Sequence, residues 1–237
     1  MAGGNGVRLH PYTSVLPKPL IPIDDVPIIE IIVKQLRYYG FTRVSIALGY
    51  LAELIKVFLG DGVKYGLQID YSVETRPLGT LLPLTLFKNL ESTVLVMNAD
   101  LLTTLDYRRL MDFHREQQAT VTIGMYRQAI PTDVGVIEMN GEYRLKQYRE
   151  KPEIMLNVGM GIYAFESRIL LDLPKDQPVH FPDFINHLIQ SGEKVVGYPF
   201  AGYWLDIGRH CDYDRAVRDF NQIRGELHLD EVARDAR

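Results

Sequence analysis

The chain has 237 residues, with 26 Lys and Arg against 30 Asp and Glu for a formal net charge of −4, 46% hydrophobic residues and one cysteine, Cys211. This composition excludes a disordered chain, allows one large α/β domain with its own core, and lacks the basic excess needed to neutralise many nucleic-acid phosphates. No apolar run nears the ~18 residues of a membrane span, Cys211 has no disulfide partner, and Met1 leads into Ala-Gly-Gly rather than a basic segment and hydrophobic core, so the expectation is a cytoplasmic setting with neither nucleic acid nor membrane as partner.

Residues 27–39 place Ile28, Ile31, Ile32, Gln35, Leu36 and Tyr39 on one face, with Pro27 in the first turn and Gly40 as terminator, which predicts an amphipathic helix. Residues 43–48 are short, apolar and β-branched, 51–59 read as a helix, and Leu67, Ile69, Tyr71 and Val73 alternate as a strand. A helix is predicted over 81–87 and a buried strand over 93–97, opening into Asn98-Ala99-Asp100. Helix and strand take turns, the pattern of a mainly parallel, Rossmann-like α/β sheet flanked by helices, with functional groups at the carboxyl ends of its strands. After a helix at 107–117 come closely spaced strands at 120–126, 135–139, 143–148 and 161–165, so the second half is expected to be more antiparallel. Helices at 166–172, 181–191 and 211–223 and a strand at 195–200 complete the reading. No repeat or linker divides the chain: residues 1–224 are read as one domain and 225–237 as a charged tail that frays.

Chemistry enters with Ala2-Gly3-Gly4-Asn5-Gly6-Val7-Arg8-Leu9, followed by Pro11, Thr13 and Pro17-Lys18-Pro19-Leu20. Glycines let backbone N–H groups approach an anion closely, and Arg8 and Lys18 add charge that a mere turn does not require. The run reads as a phosphate cradle, although it matches neither the Walker pattern nor the dinucleotide pattern. The six histidines lack HExxH spacing and no Cys/His cluster exists, so a zinc site is not expected. Only His10, beside the loop, is worth following. Cys211 reads as a residue at a helix start rather than a nucleophile.

Together these residues resemble the signature of the sugar-1-phosphate nucleotidylyltransferases, in which AGGxGxRL is followed by PKPL and a helix. The resemblance extends over nearly the whole chain: Leu78-Gly79-Thr80 is similar to the family's base-side loop, Asn98-Ala99-Asp100 to its metal-carboxylate turn, Glu150-Lys151-Pro152 to its sugar-phosphate motif, and Trp204-Leu205-Asp206-Ile207-Gly208 to its second metal turn. The likeness is to bacterial guanylyltransferase-like members serving mannose, heptose or amino-sugar phosphates, including forms fused behind a regulatory domain. It implies transfer of a nucleotidyl group from a nucleoside triphosphate, GTP by this likeness, to a sugar 1-phosphate, giving a nucleotide sugar and pyrophosphate.

The same resemblance implies roles. Arg8 and Lys18 would grip the triphosphate as the catalytic cations, with Ala2, Gly3, Gly4, Gly6, Glu74, Gly79, Thr80 and Asn98 around the nucleotide. Glu150, Lys151 and Asn157 would hold the sugar phosphate, and Asp100 and Asp206, hard oxygen ligands, would bind Mg²⁺. Each has a structural alternative: a helix-capping or turn-forming Asp, solvated surface cations, an exposed ion pair at Glu150 and Lys151, a turn at Asn157. Tyr203 and Trp204 read as core before sugar-facing. A homo-oligomer is left open.

Four departures from the family pattern stand out. Val7 replaces a hydroxyl residue, Ala99 a glycine, and Leu81-Leu82 an Ala-Gly pair, which places bulk beside the base pocket. The family's apolar first strand is reduced here to Met1-Ala2, so an apolar segment upstream of Met1 is expected. These departures motivate a second reading, a catalytically weak paralogue that senses nucleotide sugars. A metal-dependent glycosyltransferase is a third, disfavoured because Asp100-Leu101-Leu102 stands where that class has Asp-x-Asp.

Overall fold

A computed structural model of the chain describes residues 1–74, 79–87, 90–171, 173 and 178–230. After the glycine loop, a two-residue hairpin of β1 (Pro22–Ile23) and β2 (Val26–Pro27) leads into α1 (Ile28–Tyr38). Then follow β3 (Arg43–Leu48), α2 (Ala52–Leu59), β4 (Gln68–Val73), β5 (Thr93–Met97), β6 (Leu101–Thr103) and α3 (Tyr107–Gln117). The second half adds β7 (Val121–Pro131), β8 (Val136–Met139), β9 (Leu145–Arg149), β10 (Glu153–Glu166), α4 (Phe181–Gln190), β11 (Val195–Phe200), β12 (Trp204–Asp206) and α5 (His210–Ile223).

β3 and β4 pair in parallel, and Ala2 bridges to Leu48 in the same direction. Across from them run β5, β10, β7 and β11, with β7 and β11 parallel and β10 antiparallel to both β5 and β7. The expected α/β class, mainly parallel with more antiparallel pairing in the second half, is borne out. β8 and β9 form a separate antiparallel arm, and β6 pairs with β12.

Several expected boundaries shift for local reasons. The predicted strand at 161–165 is the end of a 14-residue strand, because its solvent-side start alternates weakly and Gly159 and Gly161 read as turn residues. The helices expected at 81–87 and 166–172 are short 3-10 turns, Leu82–Leu86 and Ser167–Leu170; Pro83 in the first of them supplies no N–H to a longer helix. β6 and β12 are too short to show a period. At the carboxyl end Leu227 and Leu229 are buried, and residues 231–237 lie outside the described region. No described helix is long and apolar enough to cross a membrane.

α1 organises the interior because it is apolar on two sides. Ile28, Ile31, Ile32 and Leu36 join a cluster with Leu101, Leu102 and Tyr107, while Ile29 and Val33 pack with Ile46 and Leu48 of β3. Between these faces sits a buried amide. Gln35 is 1% exposed, its Nε2 donates to the Thr103 carbonyl at 2.8 Å, and its Oε1 accepts from the Tyr107 hydroxyl at 3.3 Å. Burial drives the Tyr107 phenol far above its ordinary range, so it stays a neutral donor.

Gln35→Ala orphans the Thr103 carbonyl and the Tyr107 hydroxyl and opens a small void, and is expected to cost about 2–4 kcal/mol in urea unfolding. Adding Tyr107→Phe removes one orphan, so the double variant is expected to lose less than the sum of the single losses. Strict additivity would show that the amide is not coupled to the phenol.

Candidate functional site

The glycine loop leaves the sheet at Ala2 and turns across the carboxyl ends of its strands. The Glu74 carboxylate lies against the loop at Gly3, where a Cβ would stand 2.7 Å from its Oε1 and displace the end of that side chain. Gly6 has φ 61°, and its carbonyl accepts from the Thr13 hydroxyl at 2.9 Å, which tightens the turn. The loop then delivers a 3-10 turn, Val7–Leu9, that buries Leu9 and leaves Arg8 facing outward. A second turn, Lys18–Leu20, follows Pro17 and is buried, so Lys18 reaches the cleft from inside. Its Nζ donates to Asp100 Oδ2 at 2.5 Å, with only 10% of the Lys18 side chain exposed.

Asp100 and Asp206 are brought together by the β6–β12 ladder. Asp206 stands opposite Leu101, and the Ile207 N–H donates to the Asp100 carbonyl at 3.0 Å. Burial, and then the Asp100 charge, push the Asp206 carboxyl above the ordinary carboxylate range, while Lys18 and Arg8 oppose the shift. Asp100 Oδ1 is buried with no hydrogen-bond partner, an acceptor left unsatisfied by the protein. Arg8 reaches the same turn, with a guanidinium nitrogen 3.3 Å from where a Cβ on Gly208 would stand. Among the described residues there is no group of three or more His, Cys, Asp or Glu side chains that could hold a metal. Two carboxylates, one with an orphaned oxygen, suit a cation whose remaining positions go to water and substrate phosphates.

Two cavities meet at this point. The larger, about 870 Å³, is lined by Ala2, Gly3, Gly4, Gly6, Arg8, Lys18, Glu74, Gly79, Thr80, Asn98 and Asp100 among others, so these sequence-predicted residues converge. The second, about 470 Å³, is bounded by Asp206 with Tyr126, Arg127, Trp204, Asp212 and Arg215. Arg8 lines both. Glu150, Lys151 and Asn157 line neither. Glu150 accepts from the Tyr148 hydroxyl at 2.9 Å, Lys151 takes the left-handed φ of 42°, and Asn157 pairs across the ladder with Arg127, at the edge of the second cavity.

Leu81 and Leu82 do not line the larger cavity, contrary to the expectation that they add bulk beside a base there. They are 0% and 3% exposed and pack in a core cluster with Phe165 and Phe181, because the chain turns inward after Thr80. Thr80 Oγ1 accepts from the Phe181 N–H at 3.0 Å, and a Cβ on Gly79 would meet the Val179 carbonyl oxygen at 2.5 Å, so this loop is pinned to the start of α4. Pro83 and His180 line the cleft instead. Leu78 lies outside the described residues.

His180, Tyr126, Arg127 and Arg215 carried no signal in the sequence. Arg127 sits on an alternating strand and Arg215 on an exposed helix face, where a cation reads as solvated. Trp204 is both core and cavity wall: its ring lies 5.3 Å from that of Tyr126, and its Nε1 donates to the Met160 carbonyl. His10 lines neither cavity, and Cys211 is the exposed second residue of α5.

The sequence pattern of the nucleotidyl transferase family matches residues 1–222, and the chain belongs to that family. It is 31% identical over 231 residues to a mannose-1-phosphate guanylyltransferase of Mycobacterium tuberculosis, covering 95% of this chain and 64% of the relative. A UTP–glucose-1-phosphate uridylyltransferase of Synechocystis matches at 29% identity, covering 92% of this chain and 61% of the relative. The chain thus spans less than two thirds of the length of these relatives. The crystal structure of HddC from Yersinia pseudotuberculosis superposes with a TM-score of 0.72 at 23% identity, covering 92% of this chain and 96% of that one. At that identity the likeness is one of fold.

The raised Asp206 carboxyl has a sign that can be tested. In the folded chain its proton is held more tightly than in the unfolded chain, so its contribution to stability is full below the ordinary carboxylate range and is lost as pH rises through the raised value. In chelator-treated protein, Asp206→Asn is therefore expected to melt above the wild type at pH 7, with the gap closing toward pH 4. A variant melting below the wild type at pH 7 would show that the ionised carboxylate is stabilised where it stands.

Proposed function

We propose that this member of the nucleotidyl transferase family joins a nucleoside triphosphate to a sugar 1-phosphate, releasing pyrophosphate. The observation that carries the reading is the meeting of two cavities at Arg8 and the Asp100–Asp206 pair. The larger cleft takes the triphosphate and the smaller one takes the acceptor. An oxygen of the sugar phosphate attacks the α-phosphorus, a new phosphorus–oxygen bond forms, and the bond to the departing pyrophosphate breaks. No protein nucleophile is required, because such transfers depend on in-line positioning and on neutralising charge on the phosphoryl oxygens.

Each residue then has a physical task. Backbone N–H groups of Gly3, Gly4 and Gly6 cradle the phosphates, and Arg8, shared by both cavities, neutralises charge where the substrates meet. Lys18, held against Asp100, is a buried cation beside the reacting phosphate and stabilises leaving pyrophosphate. Asp100 and Asp206 would hold Mg²⁺, which supplies charge stabilisation to the phosphoryl oxygens when bound. Tyr126 and Trp204 offer an aromatic wall to the sugar, Asn157 stands opposite Arg127 at the edge of that cavity, and Glu150 and Lys151, on the turn between β9 and β10, would have to close toward it to reach the sugar phosphate.

Base choice is proposed on two grounds. The name of the first relative above is guanylyl transfer to mannose 1-phosphate, and Glu74 presents a carboxylate in the cleft. An ionised carboxylate only accepts, and guanine offers two adjacent donors on its pairing edge, so GTP is the nucleotide this wall suits. The exposed free thiol of Cys211 suits a reducing, cytoplasmic setting. The sensing alternative gains nothing from the geometry, since both cations and both carboxylates are in place.

Turnover across a matrix of nucleoside triphosphates and sugar phosphates, read as pyrophosphate release, is expected to be highest with GTP; a higher kcat/KM with UTP or dTTP overturns the base assignment. In the same assay Asp100→Asn and Asp206→Asn are each expected to lower kcat by about 10²-fold or more, because a metal clamp supplies several kcal/mol at the transition state. Wild-type turnover by either variant removes that residue from the metal site.

Lys151→Ala separates the two substrates. If Lys151 meets only the acceptor, its loss is expected to raise the KM for sugar phosphate by about tenfold and leave that for the nucleotide within twofold. An equal rise in both would place Lys151 in a structural role.

A further inference from the structure

The second cavity holds a cation with no task in the transfer described above. Arg127 lies on β7 beside Tyr126 and lines this cavity together with Asp206. In the antiparallel β7–β10 ladder it stands directly opposite Asn157, and residues so paired project from the same face of a sheet. β11 pairs with β7 only as far as Phe200 opposite Tyr126, whereas β10 continues to pair through Pro131. Beyond Tyr126, one edge of β7 therefore has no strand beside it among the described residues, and Arg127, Gln128 and Ala129 form part of the cavity wall there.

The charged groups around Arg127 are already committed. Arg215 Nε pairs with Asp219 at 3.3 Å, and Asp219 also accepts from the Tyr203 hydroxyl at 3.0 Å. Asp212 Oδ2 accepts from the Arg209 N–H at 2.8 Å as part of the cap of α5. Arg8 stands at the junction of the two cavities, where the triphosphate needs it. Among the described residues, by contrast, the Arg127 guanidinium makes no hydrogen bond or ion pair. A cavity bounded by the carboxylates of Asp206 and Asp212 repels a phosphate dianion unless cations on the same wall offset them. Lys151, which the family resemblance gives to the sugar phosphate, lines neither cavity, so Arg127 is the uncommitted cation in place.

We propose that Arg127 binds the phosphate of the acceptor in the second cavity. A guanidinium is a planar fork whose N–H groups match two oxygens of one phosphate. Two terminal oxygens of the sugar phosphate are thereby held, and the third is left to attack the α-phosphorus. Asn157 on the same face, and Tyr126 and Trp204, whose rings lie 5.3 Å apart, are left for the sugar. This role presupposes the transfer proposed above and adds to it a contact with the acceptor that needs no movement of the β8–β9 arm.

The test compares the wild type with Arg127→Ala and Arg127→Lys, using the triphosphate and sugar phosphate with the highest kcat/KM in the substrate matrix. Arg127→Ala is expected to raise the KM for the sugar phosphate by about tenfold or more and to leave that for the nucleotide within about twofold. Because the side chain is exposed and unpartnered, the variant is expected to melt within about 2 °C of the wild type. Arg127→Lys is expected to recover only part of the loss, since an ammonium is a point charge rather than a fork. An unchanged KM for the sugar phosphate, or an equal rise for both substrates, overturns the assignment while leaving the proposed activity standing. If no triphosphate gives turnover in the wild type, the proposed activity fails, and calorimetric titration with mannose 1-phosphate and with mannose decides the role of Arg127. Weaker binding of mannose 1-phosphate by Arg127→Ala, with no such loss for mannose, supports the site. Equal binding of mannose 1-phosphate by the two proteins, or none by either, overturns it.

Discussion

Two carboxylates placed side by side in a half-buried cleft repel each other and resist losing water, and the site is arranged around that cost. Asp100 and Asp206 are forced together because they sit at the ends of β6 and β12, whose ladder fixes Asp206 opposite Leu101. The energetic strain appears in Asp206, whose proton is held above the usual range by burial and by Asp100. Lys18 relieves half of the pair by bonding one oxygen of Asp100, and the other oxygen of Asp100 stays without a partner. A cation is the group that would satisfy that oxygen and the second carboxylate together.

The fold supplies the supports for this arrangement. Lys18 can be buried because Pro17 and Pro19 restrict the backbone of its turn and α1 packs against that turn. α1 in turn is anchored on two sides, and its Gln35 ties it to Thr103 at the end of β6, three residues from Asp100. Lys18 is thus bonded to Asp100 at one end of the short β6 segment, and α1 to Thr103 at the other. Arg8 comes from the opposite side, on a loop, and reaches Gly208 because that residue has no side chain to exclude it.

Much of this was legible in the sequence wherever a single element carries the signal. The strands at 43–48, 93–97 and 195–200 and the helix at 107–117 announce themselves by composition and period, and their bounds agree with the structure. The glycine loop, Lys18 and the strand-end Asp100 were legible for the same reason: each residue's setting is local. Legibility fails where the setting is made by distant segments. Leu81 and Leu82 looked like pocket wall because they follow Thr80, yet the bond from Phe181 to the Thr80 hydroxyl turns them into the core and brings His180 to the cleft. Arg127 and Arg215 belong to β7 and α5, and nothing in either segment foretells that they line one cavity with Asp206.

The loop and the carboxylate pair are tied to one another through the sheet. The Met1 amino group donates to the Met97 carbonyl at 2.6 Å, the Met1 carbonyl accepts from the Ala99 N–H at 3.0 Å, and the Ala2 N–H donates to the Ala47 carbonyl at 2.8 Å. The residues just before Gly3 thus bond both to β3 and to the segment that leads out of β5 into Asp100. The glycine loop on one side of the larger cavity and Asp100 on the other are therefore fixed to adjoining backbone, and a displacement at residues 97–99 moves both together.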